Sequence, residues 1–157
     1  MAACGGDSPT TGARVDSVRD GDTILLADGV RVRLLQVDAP ELQDECWGQE
    51  AAAALARLVR RGAELRLEAD HRLDEVDRHG RLLRYAHAGG RNVNVELVRL
   101  GAAAPYFYRG EHGRYAAELL DAARAARAAR RGLWGACPRT ALRPARAIET
   151  GRPGAPG

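Results

Sequence analysis

Asp22, Arg33, Asp38 and Glu41 are the residues near the start of this chain whose types and spacing suggest chemistry. Asp28-Gly29 lies between two alternating apolar stretches and is a strong hairpin signal, so it serves as a ruler. A two-residue turn there pairs Ala27 with Val30, Ile24 with Arg33 and Asp22 with Leu35. Asp22 and Arg33 then become diagonal neighbours within reach of a shared ligand. The strand carrying Arg33 runs out at Asp38-Ala39-Pro40-Glu41. Pro40 fixes its own φ and pushes Ala39 toward an extended conformation, so the chain bends away and leaves a carbonyl free. Asp22, Asp38, the Ala39 carbonyl and Glu41 offer hard anionic oxygens with no converging His or Cys. Such a set suits Ca²⁺ or Mg²⁺ and leaves positions for water and a substrate oxygen. Spacing alone also allows Arg33 to be an ordinary salt-bridge partner of these carboxylates.

The elements that must position these groups follow from periodicity. Residues 14–19 and 22–27 alternate as strands, and 30–37 is a third, apolar strand with interleaved arginines. Residues 49–61 carry Ala, Leu and Val at helical spacing and stop at Gly62. Strands are expected at 64–69 and 82–88. A helix at 93–100 follows, with Asn92 as N-cap and Gly101 as stop, and a long Ala-rich helix spans 114–131 up to Gly132. This order predicts an α+β, mainly β-barrel fold: an OB-type five-stranded Greek-key barrel with three α-helices. Residues 1–12 and 138–157 read as disordered tails around one domain at 13–137.

Composition narrows the partners. The chain has 157 residues, one domain's worth, and a net charge of +3. All its basic residues are arginine, which codon bias explains better than function; mild basicity is compatible with a polyanionic partner without establishing one. No apolar run is long enough to span a bilayer. His71, His79, His87 and His112 show no metal-site spacing, so zinc is not expected, and His71, His87 and His112 read as surface or loop residues. Arg124, Arg127 and Arg130 read as a solvated helix face.

Beyond single residues, three segments match in order. Asp20-Gly21-Asp22-Thr23, then Arg33 to Glu41, then Asp77-Arg78-His79-Gly80-Arg81 resemble the signature segments of the staphylococcal nuclease (thermonuclease) family. Residues 97–101, Tyr106-Phe107-Tyr108 and Gly132-Leu133-Trp134 resemble its C-terminal half, so the likeness covers residues 13–137. The resemblance implies a calcium-dependent phosphodiesterase that cleaves DNA and RNA and leaves 3′-phosphates. Asp22 and Asp38 would bind Ca²⁺ through carboxylates and Ala39 through its carbonyl. Glu41 would be the general base, and Arg33 and Arg81 would grip the scissile phosphate and stabilise a phosphorane-like transition state. The family has threonine at the position of Ala39, a harmless change where only the carbonyl binds. Arg78 and His79 stand where the family has lysine and tyrosine contacting a terminal phosphate, and both can still donate to one. Tyr106 and Tyr108 match tyrosines that contact the nucleotide, an arrangement suited to single-stranded or frayed nucleic acid. The alternative is a non-catalytic OB-fold module that binds nucleic acid or protein; it would be expected to lack Glu41, Arg33 or Arg81, and all are present. A lipid-anchored domain in which calcium serves stability alone is a further rival.

The cysteines bear on location. Met1-Ala2-Ala3-Cys4-Gly5-Gly6 looks like the end of a lipoprotein signal without its charged and apolar regions, so Cys4 is a lipid-anchor candidate as well as an ordinary tail cysteine. Cys46 and Cys137 remain as a disulfide candidate in an oxidising compartment and make a poor metal site. The expectation is a monomer that is secreted or tethered outside the cytoplasm.

Overall fold

The computed structural model describes residues 13–153; the expected tether with Cys4 and the last residues, 154–157, lie outside the described residues. Strands β1 (Ala13–Val18), β2 (Thr23–Leu26) and β3 (Arg31–Leu34) form an antiparallel meander. After a short β4 (Val37–Asp38) and helix α1 (Gly48–Leu58) come β5 (Glu64–Glu68) and β6 (Leu82–Ala88). The start of β1 pairs with β5, β5 with β6, and β6 closes the circle by running parallel to β3. A bulge between Val15 and Ser17 lets β1 bend from β2 toward β5. The result is the closed five-stranded mixed barrel that the strand pattern predicts.

Helices cover the barrel. A short β7 (Arg91–Asn92) leads into α2 (Val93–Arg99), where the Asn92 side chain accepts from the Val95 amide as an N-cap. A short β8 (Ala104–Pro105) then pairs with β4, and α3 (Ala116–Ala128) and α4 (Leu133–Ala136) complete the chain's helices among the described residues. Leu133–Ala136 adds one short helix to the three expected. On α1 the buried residues Ala51, Ala54 and Leu55, and on α3 Ala116, Leu119, Ala123 and Ala126, form apolar stripes at helical spacing. Small side chains on these stripes let the helices approach Ile24, Val32, Leu34 and Leu97 in the core. Arg124, Arg127 and Arg130 lie on exposed positions, as expected for a solvated face. No helix among the described residues is long and apolar enough to cross a membrane.

Three expectations need correction. The hairpin is one residue out of the predicted register: Thr23 faces Arg33, Ile24 faces Val32, and Leu26 N–H donates to the Val30 carbonyl. The loop is Ala27-Asp28-Gly29, in which only Gly29 takes a positive φ (88°) while the Asp28 carboxylate accepts from the Val30 amide. A three-residue loop needs one left-handed residue where a two-residue type I′ turn needs two, and Asp28 supplies its own cap. Residues 138–153 are not a disordered tail. Ile148 is buried with Leu133, Trp134 and Cys137, and the segment bonds back through Phe107 N–H to Pro144 O and Cys46 N–H to Gly151 O. His87 is no loop residue either: it sits on β6, mostly buried, with Nε2 2.7 Å from Glu68 Oε1.

Candidate active site

The turn between β1 and β2 can carry its carboxylates inward only because of Gly21. A Cβ there would lie 2.6 Å from that of Ala39 and 2.9 Å from that of Ala51, so any side chain would push the turn off α1 and the segment after β4. With the turn closed, Asp22 is buried and held on every side. Its amide donates to Asp20 Oδ1 (3.0 Å), Thr23 Oγ1 donates to its Oδ1 (3.2 Å), and the Ala39 amide donates to its Oδ2 (2.9 Å).

Arg33 binds the two carboxylates together. Its Nη2 lies 3.0 Å from Asp38 Oδ1 and 3.3 Å from Asp22 Oδ2, while Nη1 donates to the carbonyls of Leu34 (2.7 Å) and Val37 (2.8 Å). With the register slipped, Asp22 is opposite Leu34, whose amide donates to the Asp22 carbonyl. Arg33 therefore meets Asp22 not as a diagonal neighbour but by folding its long side chain around the end of β3, where the strand has stopped and its carbonyls are open. Asp38 is tied from a direction the sequence did not suggest: the Ile148 amide donates to its Oδ2 at 2.8 Å.

Arg81 reaches the same centre from the other side. Asp77 holds it twice, accepting from its backbone amide (3.0 Å) and from Nε (2.7 Å), and Arg81 Nη1 extends to Thr23 Oγ1 at 3.3 Å. Thr23 thus links Arg81 to Asp22. Burial works against the Asp77 carboxylate, yet the bonds from Arg81 and from the His79 amide outweigh it and hold its pKa below the ordinary value.

The carboxylates behind Arg33 have the opposite electrostatics. Burial raises the pKa of Asp38, and Glu41 adds to the rise, although Arg33 and the Ile148 amide oppose it. Burial and then the charge of Asp22 raise Asp20. The cluster carries more negative charge than one guanidinium neutralises. Among the described residues no three His, Cys, Asp or Glu side chains form a ready-made metal cage. The donors nevertheless suit a hard divalent cation, because a carboxylate has about four lone-pair sites. Asp22 accepts three contacts and Asp38 two, which leaves capacity on both. Glu41 stands beside this cluster with its side chain in solvent, and its amide donates to Glu45 Oε2 at 2.7 Å.

An open groove of about 560 Å³ has Arg33 and Arg81 among its lining residues. Arg78 and His79 reach it from the turn before β6; Tyr106, Tyr108 and Arg109 reach it from the loop after β8. The Tyr106 and Tyr108 rings lie 6.3 Å apart, and the Arg109 guanidinium sits 5.0 Å from the centre of the Tyr108 ring. Asp22, Asp38 and Glu41 lie outside the groove lining, adjoining it through Arg33. Thus Arg33, Arg78, His79, Arg81, Tyr106 and Tyr108 share one groove, while Asp22 and Asp38 meet behind Arg33. The structure also joins Cys46 to Cys137 in a disulfide.

Residues 31–136 match the sequence model of the family described as staphylococcal nuclease homologue. The chain belongs to the staphylococcal nuclease family. It is 40% identical over 128 residues to a protein named ParB from Escherichia coli, covering 73% of this chain and 67% of that one. It is 35% identical over 129 residues to a micrococcal nuclease of Shigella flexneri (74% and 70% covered) and 32% identical over 129 residues to a thermonuclease of Staphylococcus hyicus (77% and 74% covered). The staphylococcal nuclease match takes in Arg33, Asp38, Glu41, Arg81 and both groove tyrosines, and it ends before the strap that carries Ile148.

Sequence reasoning missed Thr23, Asp77, Gln36 and Ile148 as parts of the site. Asp77 had a visible signal, an acid four residues before Arg81 across a Gly-containing turn. Ile148 had none, since what acts there is a backbone amide.

Proposed function

We propose that this chain is a calcium-dependent nuclease that hydrolyses phosphodiester bonds in DNA and RNA, releasing the 5′ oxygen and leaving 3′-phosphate ends. Family membership makes it a hydrolase acting on nucleic-acid ester bonds. The finer reading is carried by one observation: Arg33 and Arg81 line a single open groove while a carboxylate cluster with surplus negative charge backs Arg33.

Attack on a phosphodiester adds charge to a group that already bears one. Arg33 and Arg81 answer that charge with permanently charged guanidiniums, and the N–H donors they have left over form hydrogen bonds that strengthen as phosphorus becomes five-coordinate. Glu41, in solvent beside Asp38, takes the proton from an attacking water as the water's electron pair forms the new P–O bond and the 5′ oxygen departs with its own pair. Asp22, Asp38 and the Ala39 carbonyl would hold Ca²⁺. When bound, the ion polarises the phosphate and acidifies water. Thr23 and Asp77 keep Arg81 aimed, so this guanidinium needs little reorganisation when substrate arrives. Arg78, His79 and the two tyrosines extend the contact to neighbouring phosphates and bases, which favours single-stranded or frayed substrate.

The Cys46–Cys137 disulfide supports an extracytoplasmic, oxidising compartment as the working place, with a monomer secreted or tethered through Cys4. The test of function is a cleavage assay on DNA and RNA with Ca²⁺ and with a chelator. Cleavage stops with the chelator, and Glu41→Gln lowers kcat by about 10²–10⁴-fold. An unchanged rate in either arm refutes the reading.

A further inference from the structure

Gln36 lies three residues after Arg33 and two before Asp38, and neither chemistry nor packing explains it. Its φ is 63°, in the left-handed region where glycine is the ordinary choice. Its polar side chain is only 7% exposed. A strained backbone and a buried amide together mark a residue that something else over-determines.

What determines it is the aromatic loop. The Gln36 carbonyl accepts from the Tyr106 amide at 2.7 Å. Its side-chain Oε1 accepts from the Gly113 amide at 2.7 Å, and Nε2 donates to the Glu111 carbonyl at 3.0 Å. One residue therefore fastens both ends of the segment 106–113, which presents Tyr106, Tyr108 and Arg109 to the groove. The far end is fastened a second time, by the Arg114 amide on Asp70 Oδ2 at 2.7 Å, where Asp70 also accepts from the buried Tyr85 hydroxyl. Nothing between those ends is a helix longer than the single turn Tyr108–Gly110. Gln36 thus shares the placing of the loop with Phe107, which is buried in the core and donates its amide to the Pro144 carbonyl, and among the described residues Gln36 alone ties the loop to the strand end that carries Arg33.

We propose that Gln36 is a positioning residue that fixes the aromatic wall of the groove against Arg33 and Arg81, and so sets how strongly the enzyme prefers a polynucleotide over a substrate with one nucleotide. The left-handed φ turns its side chain away from β3 toward the loop. The proposal rests on the groove being the polynucleotide site.

Two variants test it, Gln36→Met, which keeps side-chain length without the amide, and Gln36→Gly, which also relieves the φ. Each is assayed on a single-stranded oligonucleotide and on a nitrophenyl diester of a mononucleotide, which spans little beyond the scissile phosphate. The ratio of kcat/KM on the oligonucleotide to that on the small diester is expected to fall about tenfold in both variants, through KM of the oligonucleotide. Amide exchange at Gly113 should quicken in both. Equal losses on the two substrates, an unchanged ratio, or unchanged Gly113 protection would overturn the proposal. Tyr108→Ala separates the underlying reading: no rise in oligonucleotide KM there means that the groove is not the polynucleotide site, whatever Gln36 does.

Discussion

Replacing both Cys46 and Cys137 by alanine probes how the C-terminal strap supports the site. The two cysteines are 91 residues apart. In the chain-entropy description, closing a loop of that length restricts the unfolded chain by about 4.6 kcal/mol at 25 °C. With an unfolding entropy of about 2.1 cal/mol/K per residue over 157 residues, that energy corresponds to a fall in Tm of about 14 °C. The figure is an upper bound, because a compact unfolded chain has less freedom to lose. A second effect is local. The bridge pins the strap whose Ile148 amide holds Asp38 Oδ2 and whose Thr150 hydroxyl donates to the Cys46 carbonyl at 2.7 Å. A partner lost from a metal-binding carboxylate typically costs 10–100-fold in affinity, so on the proposal that Asp38 holds Ca²⁺ the affinity should weaken by about tenfold or more. Thermal unfolding with chelator present gives the first number and calorimetric Ca²⁺ titration gives the second. A Tm change under about 3 °C would refute the loop-entropy argument. Unchanged Ca²⁺ affinity with the expected Tm loss would show that the strap is held by its own packing rather than by the bridge.

Arg33→Lys should lower kcat/KM by about 10²–10³-fold, because an ammonium has three donors and cannot bond the Leu34 and Val37 carbonyls and Asp38 and still donate to phosphate, whereas the five donors of arginine leave Nε–H over; retention of wild-type kcat/KM would refute this donor argument. Tyr108→Ala should raise KM for a single-stranded oligonucleotide by about 5–150-fold, the worth of one base stacked on a ring that is 54% exposed. In chelator, urea unfolding across pH should show opposing contributions. Glu68, Asp70 and Asp77 have lowered pKa values, since their hydrogen bonds overcome burial. The native state then binds fewer protons than the unfolded one, so their stabilisation is complete above the ordinary carboxylate range and is lost as pH falls through their folded values. Asp20 and Asp38 are raised by burial, so their contribution is present in acid and lost as pH rises through their folded values. Asp20→Asn, which keeps an acceptor for the Asp22 amide, should therefore raise the neutral-pH Tm of the calcium-free protein; a lower Tm would show that the cluster is not over-charged.

Much of this was legible before any coordinates. Alternation and glycine stops located the barrel strands and the helices because each element buries one face, and burial forces periodicity. The acid and arginine set was legible because Asp38-Ala39-Pro40-Glu41 ends a strand with its oxygens free. Three things were hidden. The hairpin register depends on whether Asp28-Gly29 forms a two- or three-residue loop, and the dipeptide is compatible with both. The packing of residues 138–153 depends on scattered anchors, with Ile148 and Thr150 buried among Arg, Pro and Ala, so no local period exists to read. Gln36 was masked because its role needs a backbone conformation that the sequence gives no sign of.

The bond from Ile148 to Asp38 joins residues 110 positions apart. Loop closure over such a span comes late, after the local meander and helices have formed. During synthesis the strap emerges after every barrel strand, so a ribosome-bound chain can hold a finished barrel and still lack the amide that steadies this carboxylate. The anionic centre is thus completed only after residue 148 has been made.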